Sequence, residues 1–156
     1  MLTITRKLEF DAGHRIPDHK SQCRNLHGHR YTLEITLTGA VIDVEGSSDN
    51  GMIMDFSDIK SLAKEHLVDV WDHAFIVYER DDAVREFLAT LPGHKTVVID
   101  RIPTVENLAR VAFDNFFVQP MDGPLAEHNT RLAIETCKRH PRWKLSLQTH
   151  KLLQIP

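Results

Sequence analysis

The stretch from Cys23 to Gly39 reads CRNLHGHRYTLEITLTG, and its second half alternates without a break. Tyr31, Leu33, Ile35 and Leu37 fall on one side of an extended chain, Thr32, Glu34, Thr36 and Thr38 on the other. Successive side chains on a strand point to opposite faces, so 30–39 is expected to be a strand with one buried face. His27 and His29 stand two apart at its start, and both imidazoles therefore project from the same face. Gly28 removes a side chain between them, where something must approach closely. Cys23 places a thiol shortly before the first histidine. Two histidines on a rigid strand behind a nucleophile-capable residue suit a metal site with chemistry attached. The same residues also fit a polar turn entering a strand.

Working outward, Leu2, Ile4, Leu8 and Phe10 alternate with Thr3, Thr5, Lys7 and Glu9, which predicts a first strand over 2–10. Arg6 interrupts its apolar face and suggests an edge or a paired charge. Asp11-Ala12-Gly13-His14 ends it, with small neighbours that would let a ligand or metal reach His14. Residues 15–25 read as a loop, across which the two strands pair antiparallel. Val44 to Gly51 (VEGSSDNG) is turn chemistry, and 52–56 is expected to be a return strand. Asp55 or Ser57 then caps a helix whose inner face is Ile59, Leu62, Ala63, His66, Leu67 and Val70. That helix stops near Trp71-Asp72-His73. Residues 79–95 form a charged excursion with a short helix at 82–90, and 95–99 add a strand. Thr104 caps a second long helix with Leu108, Val111, Ala112 and Phe116 inside, ended by 120–124. Residues 130–137 alternate again, and 145–147 do so weakly. The expected class is α+β, an antiparallel sheet with two helices on one face, in a single domain over 1–156.

Composition narrows the function classes. Hydrophobic content of 42% and charged content of 26% are those of an ordinary globular protein with a real core. A formal net charge of -3 argues against broad binding to nucleic acid or a membrane surface. Cys23 and Cys137 are too few for a disulfide framework. No leader is visible at Met1 and no apolar run approaches the ~18 residues of a membrane span, so a cytoplasmic, reducing setting is expected. The unusual count is 10 histidines, which makes metal or proton chemistry worth seeking. His14, His27 and His29 could give three neutral nitrogens to one ion and leave a fourth tetrahedral position open, as catalytic zinc sites do. Ligand type alone leaves nickel, copper and iron open, and His14 taken singly also reads as a structural residue.

FDAGH at 10–14, CRNLHGHRY at 23–31, Asp55-Phe56, WDH at 71–73, PTVEN at 103–107 and ETC at 135–137 occur in the order of one family. The chain resembles the 6-pyruvoyltetrahydropterin synthase family, and within it the branch that forms 6-carboxy-5,6,7,8-tetrahydropterin on the queuosine (7-deazaguanine) route. The resemblance implies the tunnelling fold, in which subunit sheets form an oligomeric barrel, usually a hexamer of two trimers. It implies a zinc-dependent lyase that converts 7,8-dihydroneopterin triphosphate to the 6-carboxy product, releasing triphosphate and acetaldehyde. His14, His27 and His29 match the family's zinc ligands, Cys23 its base, and Asp72 with His73 its acid–base pair. Glu135 matches the pterin anchor, accepting paired hydrogen bonds from the ring, and Thr104 and Glu106 match a segment near the pterin. Thr104 and Glu106 read equally well as a helix cap with an acid in the first turn. The Asp72-His73 pairing needs a turn, because neighbours on an ideal strand point apart.

Three residues separate Cys23 from His27, as in the carboxy branch, whereas pyruvoyl-forming members have a longer gap and a folate-route branch uses Glu as base. The alternatives are therefore a pyruvoyl product, in which triphosphate leaves and the side chain stays, or a non-catalytic zinc-stabilised assembly module. Gly13 stands where a second alanine is usual, and Trp71 where leucine is common. The segment 79–102 is long, and the tail after Lys138 matches nothing in the pattern. Arg15, His19, Lys20 and Arg24 flank the site and are the candidates for holding triphosphate.

Overall fold

Unbroken alternation on both sides of one loop makes a long two-stranded ribbon. β1 (Leu2–His14) pairs antiparallel with β2 (His27–Gly39), from Leu2 opposite Gly39 to His14 opposite His27. The computed structural model describes residues 2–114, 117–118, 131, 133–135, 138 and 144–145. The chain divides into two compact units, Met1–Asn107 and Leu108–Pro156. On one face of the ribbon Phe10, Ala12 and His14 are buried, while Thr3, Thr5, Lys7 and Glu9 lie exposed on the other. Arg6 does sit on the half-buried apolar face, and its Nε has no hydrogen-bond partner.

The sheet is mixed, where antiparallel pairing throughout was expected. Its order is β2-β1-β3-β4, with β3 (Ala74–Tyr78) parallel to β1 and β4 (Thr96–Ile99) parallel to β3. Parallel neighbours need a crossover, and the 79–95 excursion supplies one as α3 (Asp82–Ala89) between β3 and β4. β3 is the strand that periodicity misses. Its run AFIVY is apolar without alternation, because an interior strand is covered on both sides: Ile76 and Val77 are 0% and 1% exposed. Residues 52–56 form no strand. Ile42 instead closes a local turn, donating to the Met52 carbonyl and accepting from Gly51 N–H, both at 2.8 Å.

Asp55 is the cap of α1 (Phe56–Ala63), its carboxylate accepting the Ser57 amide at 2.6 Å. The helix continues through a π-turn (Lys64–Val68) into α2 (Asp69–Trp71). That wide turn changes which residues face inward. Ile59, Ala63, Leu67, Val68 and Trp71 are buried, while the expected inner residues Leu62 and Val70 are 40% and 42% exposed. A π-turn holds one residue more than an α-turn, so the inner stripe runs at spacing four and brings Trp71 edge-on to Phe10, ring centroids 6.0 Å apart.

α4 (Val105–Asp114) begins at Thr104, whose hydroxyl accepts the Asn107 amide at 3.3 Å. In the second unit, β5 (Phe117–Val118) pairs parallel with β6 (Lys144–Leu145). Residues 131, 133–135 and 138 are helical, which corrects the strand expected over 130–137. Arg131, Glu135 and Lys138 are exposed at i, i+4 and i+7 and Ala133 is buried, a helical face. Phe116, Leu132, Cys137 and the stretches 120–124 and 146–147 lie outside the described residues. No helix among the described residues is long and apolar enough to cross a membrane.

Candidate active site

Register brings the three histidines together. His14 ends β1 directly opposite His27 at the start of β2, and Ala12 lies opposite His29. Residues at opposed and alternate positions share a face, so all three rings sit on the Phe10 side of the ribbon. Their centroids are 4.6 Å (His14–His27), 5.1 Å (His14–His29) and 4.8 Å (His27–His29) apart. One potential ligand atom from each lies within 4.8 Å of the others. His14 is buried, His27 half-buried and His29 exposed, so the cluster opens outward from β1.

The backbone orients two of these rings. His14 Nδ1 lies 2.6 Å from the Pro103 carbonyl, and His27 Nδ1 lies 2.8 Å from the Asn25 carbonyl. A carbonyl only accepts, so each Nδ1 carries the proton and each neutral ring keeps its lone pair on Nε2. His14 Nε2 is buried without a hydrogen-bond partner, the kind of orphaned acceptor that an ion would satisfy. Burial lowers the His14 pKa first of all, with His27 and His29 adding to it against the Pro103 carbonyl, which keeps the ring neutral and able to ligate. These observations fit a metal, and second-sphere carbonyls of this sort are the usual support of histidine ligands. Sequence reading placed PTVEN near the pterin through Thr104 and Glu106. It missed that the preceding residue, Pro103, is the one that touches the site.

Cys23 is half-buried in a one-turn 3-10 helix (Gln22–Arg24), and its carbonyl accepts the Ile16 amide at 2.8 Å. That bond folds the loop back so that Cys23 leads directly into the His27 strand. Cys23 is not part of the ligand cluster found among the described residues. Arg15 is paired with Asp81: its Nε donates to Asp81 at 2.6 Å and Nη2 bonds the other carboxylate oxygen, with Asp81 buried. Lys20 and Arg24 are exposed.

The turn that Asp72-His73 needs is present. His73 has φ 58°, the one non-glycine residue with positive φ among those described. The left-handed step swings its ring back, so Nδ1 lies 2.9 Å from Asp72 Oδ2. Asp11 holds the pair from β1: its amide donates to Asp72 Oδ1 at 3.0 Å, and its carbonyl accepts His73 N–H at 2.7 Å. The Asp11 amide, then His73, hold the Asp72 carboxyl below its usual range. His73 lines a cleft of about 460 Å³ together with Asp11, Gly13, His29, Arg30, Phe75 and His94. Asp11 and Arg30 are opposed in the register at odd positions relative to His14 and His29, so their side chains leave the ribbon on the face away from the trio. The structure brings His14, His27 and His29 together, and Asp72 with His73, and His29 of the first group lines the same cleft as His73 of the second.

Thr104 and Glu106 are seen in the cap role. The Glu106 carboxyl is held down by its own backbone amide and then the Thr104 hydroxyl. Glu135, within the strand expected over 130–137, is instead exposed on a helix of the second unit.

The 6-pyruvoyl tetrahydropterin synthase family matches residues 3–139. A protein of Rickettsia bellii called 6-carboxy-5,6,7,8-tetrahydropterin synthase is 39% identical over 109 residues, 70% of this chain and 75% of its own. One of the same name from Haemophilus influenzae is 34% identical over 141 residues, 88% and 91% of the two chains. A 7-carboxy-7-deazaguanine synthase of Burkholderia multivorans is 52% identical over 62 residues, 40% of this chain and only 30% of that protein. The crystal structure of an uncharacterized Wolinella succinogenes protein shares the fold, with TM-score 0.54 at 20% identity over 70% of this chain and 79% of the other. With a family match along nearly the whole chain and relatives above 30% identity carrying an enzyme's name, this α+β chain belongs to the 6-pyruvoyl tetrahydropterin synthase family of pterin-forming enzymes.

Proposed function

We propose that the chain is a zinc-dependent 6-carboxy-5,6,7,8-tetrahydropterin synthase acting on 7,8-dihydroneopterin triphosphate. The observation that carries the proposal is the histidine trio, with two Nδ1 atoms tied to carbonyls and the buried His14 Nε2 left over. Such a set would hold zinc through His14, His27 and His29. Zinc held there would supply Lewis acidity, by which a substrate oxygen would be polarised and the neighbouring carbon–hydrogen bond made more acidic. Cys23, on the loop entering the trio, takes the proton from the substrate side chain. His73 accepts and returns protons, with Asp72 fixing its ring. The names of the relatives support the carboxy product over the pyruvoyl one, and the Cys23–His27 spacing agrees with them. Glu135 keeps a pterin-anchoring role in the proposal on resemblance alone, and Thr104 and Glu106 stand on the same footing.

The family resemblance and the open sheet favour a site shared between subunits. One chain would offer Cys23 and the metal, and another Asp72 and His73. β2 and β4 end an open four-stranded sheet, and unpaired edges are templates for pairing with a second copy. This supports a homo-oligomeric barrel, with a hexamer as the expected size. The test is to incubate the purified protein with 7,8-dihydroneopterin triphosphate and identify the pterin by mass. A 6-carboxy product with acetaldehyde released supports the proposal; a pyruvoyl product, or no turnover with zinc bound, overturns it. Metal analysis runs alongside: about one zinc per chain is expected, and His27→Ala, which removes a ligand outright, should lose it, a larger effect than the ~10–100-fold of changing a ligand's outer-shell partner.

A further inference from the structure

His73 occupies backbone space that residues with a Cβ seldom hold, so something around it must keep the turn in place. Asp11 does so from β1. The other grip comes from the far end of the excursion. Lys95 Nζ donates to two carbonyls, Asp69 O and Asp72 O, each at 2.7 Å. Its own carbonyl accepts the Phe75 amide at 2.9 Å. One residue thus holds the chain on both sides of His73, the carbonyl before it by a side chain and the amide two residues after it by the backbone. The parallel register places Thr96 beside Phe75, which sets Lys95 at the level of the turn. An ammonium group has three donors and no acceptor, so it suits two convergent carbonyls at a helix end, where such groups lack partners and the helix dipole is negative. The neighbouring His94 lines the same cleft as His73.

We infer that Lys95 is a positioning residue: it locks the Asp72–His73 turn in the left-handed conformation that aims the His73 ring into the cleft. The inference rests on the proposed acid–base role of that pair, and it gives the 79–95 excursion a purpose beyond linking two strands. Lys95 acts through the backbone and touches no reacting atom.

Two measurements on the full chain test it, one of which needs no substrate. In amide hydrogen exchange, Lys95→Met should speed exchange at His73 N–H and Asp11 N–H by about 10-fold or more. Lys95→Arg, which keeps a cation with several donors, should stay within about 2-fold of wild type. Val77, in the covered middle of β3, is the control. Unchanged rates at His73 and Asp11 in Lys95→Met, or an equal rise at Val77, overturn the inference, since the second marks a general loss of stability. In steady-state turnover of 7,8-dihydroneopterin triphosphate, Lys95→Met should lower kcat ~10- to 100-fold, less than the ~10²–10⁴-fold of losing a proton-transfer group. KM should move by less than about 2-fold, zinc content should hold, and Lys95→Arg should recover most of kcat. A loss in KM alone, or no recovery by arginine, overturns it. If wild type itself fails to turn over, the proposed function falls while the exchange result still decides the role of Lys95. Should Lys95→Met not fold, Lys95→Ala, which likewise has no donor, is read the same way.

Discussion

A Cβ built on Gly13 would lie 2.6 Å from Cδ2 of Phe75, well inside contact distance. The glycine that departs from the family's usual alanine is thus matched to a large ring on the next strand. Gly13→Ala is expected to destabilise the fold by about 1–3 kcal/mol through overpacking. Urea unfolding of Gly13→Ala and of Gly13→Ala with Phe75→Leu checks this, because the smaller side chain should recover most of the loss. Gly28 is similar in kind: a Cβ there would stand 3.3 Å from the Ala12 carbonyl, so what approaches closely is the neighbouring strand. Cys23 supplies the residue-level test of chemistry. Cys23→Ala removes the proposed base and no metal ligand, so zinc should stay while turnover falls ~100- to 10,000-fold. Turnover at the wild-type rate would move the base to another residue, His73 first.

Among the elements, the run from α1 through the π-turn to α2 decides where the acid–base pair stands. By widening one turn it carries Trp71 onto Phe10 and delivers Asp72 to the Asp11 amide. The Asp72 carboxyl is held below its unfolded value of 3.8 by that amide, then by His73, with Lys95 adding to them. A depressed carboxylate stabilises the folded state above its unfolded pKa, and the contribution is lost as pH falls through the lower folded value. Acid unfolding of wild type should therefore steepen below about pH 4 more than that of Asp72→Asn, which has no proton to gain. Parallel curves for the two proteins would show that the turn holds without the carboxylate. The Arg15–Asp81 pair belongs to this scale too, joining the end of β1 to the start of α3. Asp81→Ala would strand a partly covered guanidinium and is expected to cost about 3 kcal/mol, the usual penalty for breaking a buried pair. Chemical denaturation measures it.

For the whole molecule, the expected outcome is assembly. An open sheet with a 13-residue edge strand, β2, makes little sense as a solitary chain. Sedimentation at micromolar concentration should give a single species several chains in size. Mixing Cys23→Ala with His73→Ala should then restore part of the activity that each lacks, because mixed oligomers would contain some intact shared sites. A stable, active monomer, or no recovery on mixing after subunits exchange, would contradict a shared site.

Alternation by itself marked 2–10 of β1 and 30–39 of β2, since a period of two is a local property of extended backbone; the pairing of the two strands carries them on through 11–14 and 27–29, where the three histidines stand. The caps at Asp55 and Thr104 were legible for the same reason: each is set by a side chain and amides within three residues. The central strand 74–78 was hidden because burial on both faces erases the alternation that marks a strand. The π-turn was hidden because a 3.6 period assumes every turn holds the same number of residues. Glu135 was placed on a strand because three apolar–polar steps are too few to tell a strand from a helix. What only the tertiary structure decided is how the candidate site is held: the Pro103 carbonyl setting the His14 tautomer, Asp81 claiming Arg15, and Lys95 reaching back across 23 residues to Asp72. Each of those contacts joins segments by a carbonyl or a charge rather than by a pattern. A backbone carbonyl has the same chemistry in every residue, so nothing in the order of side chains announces which one will be used.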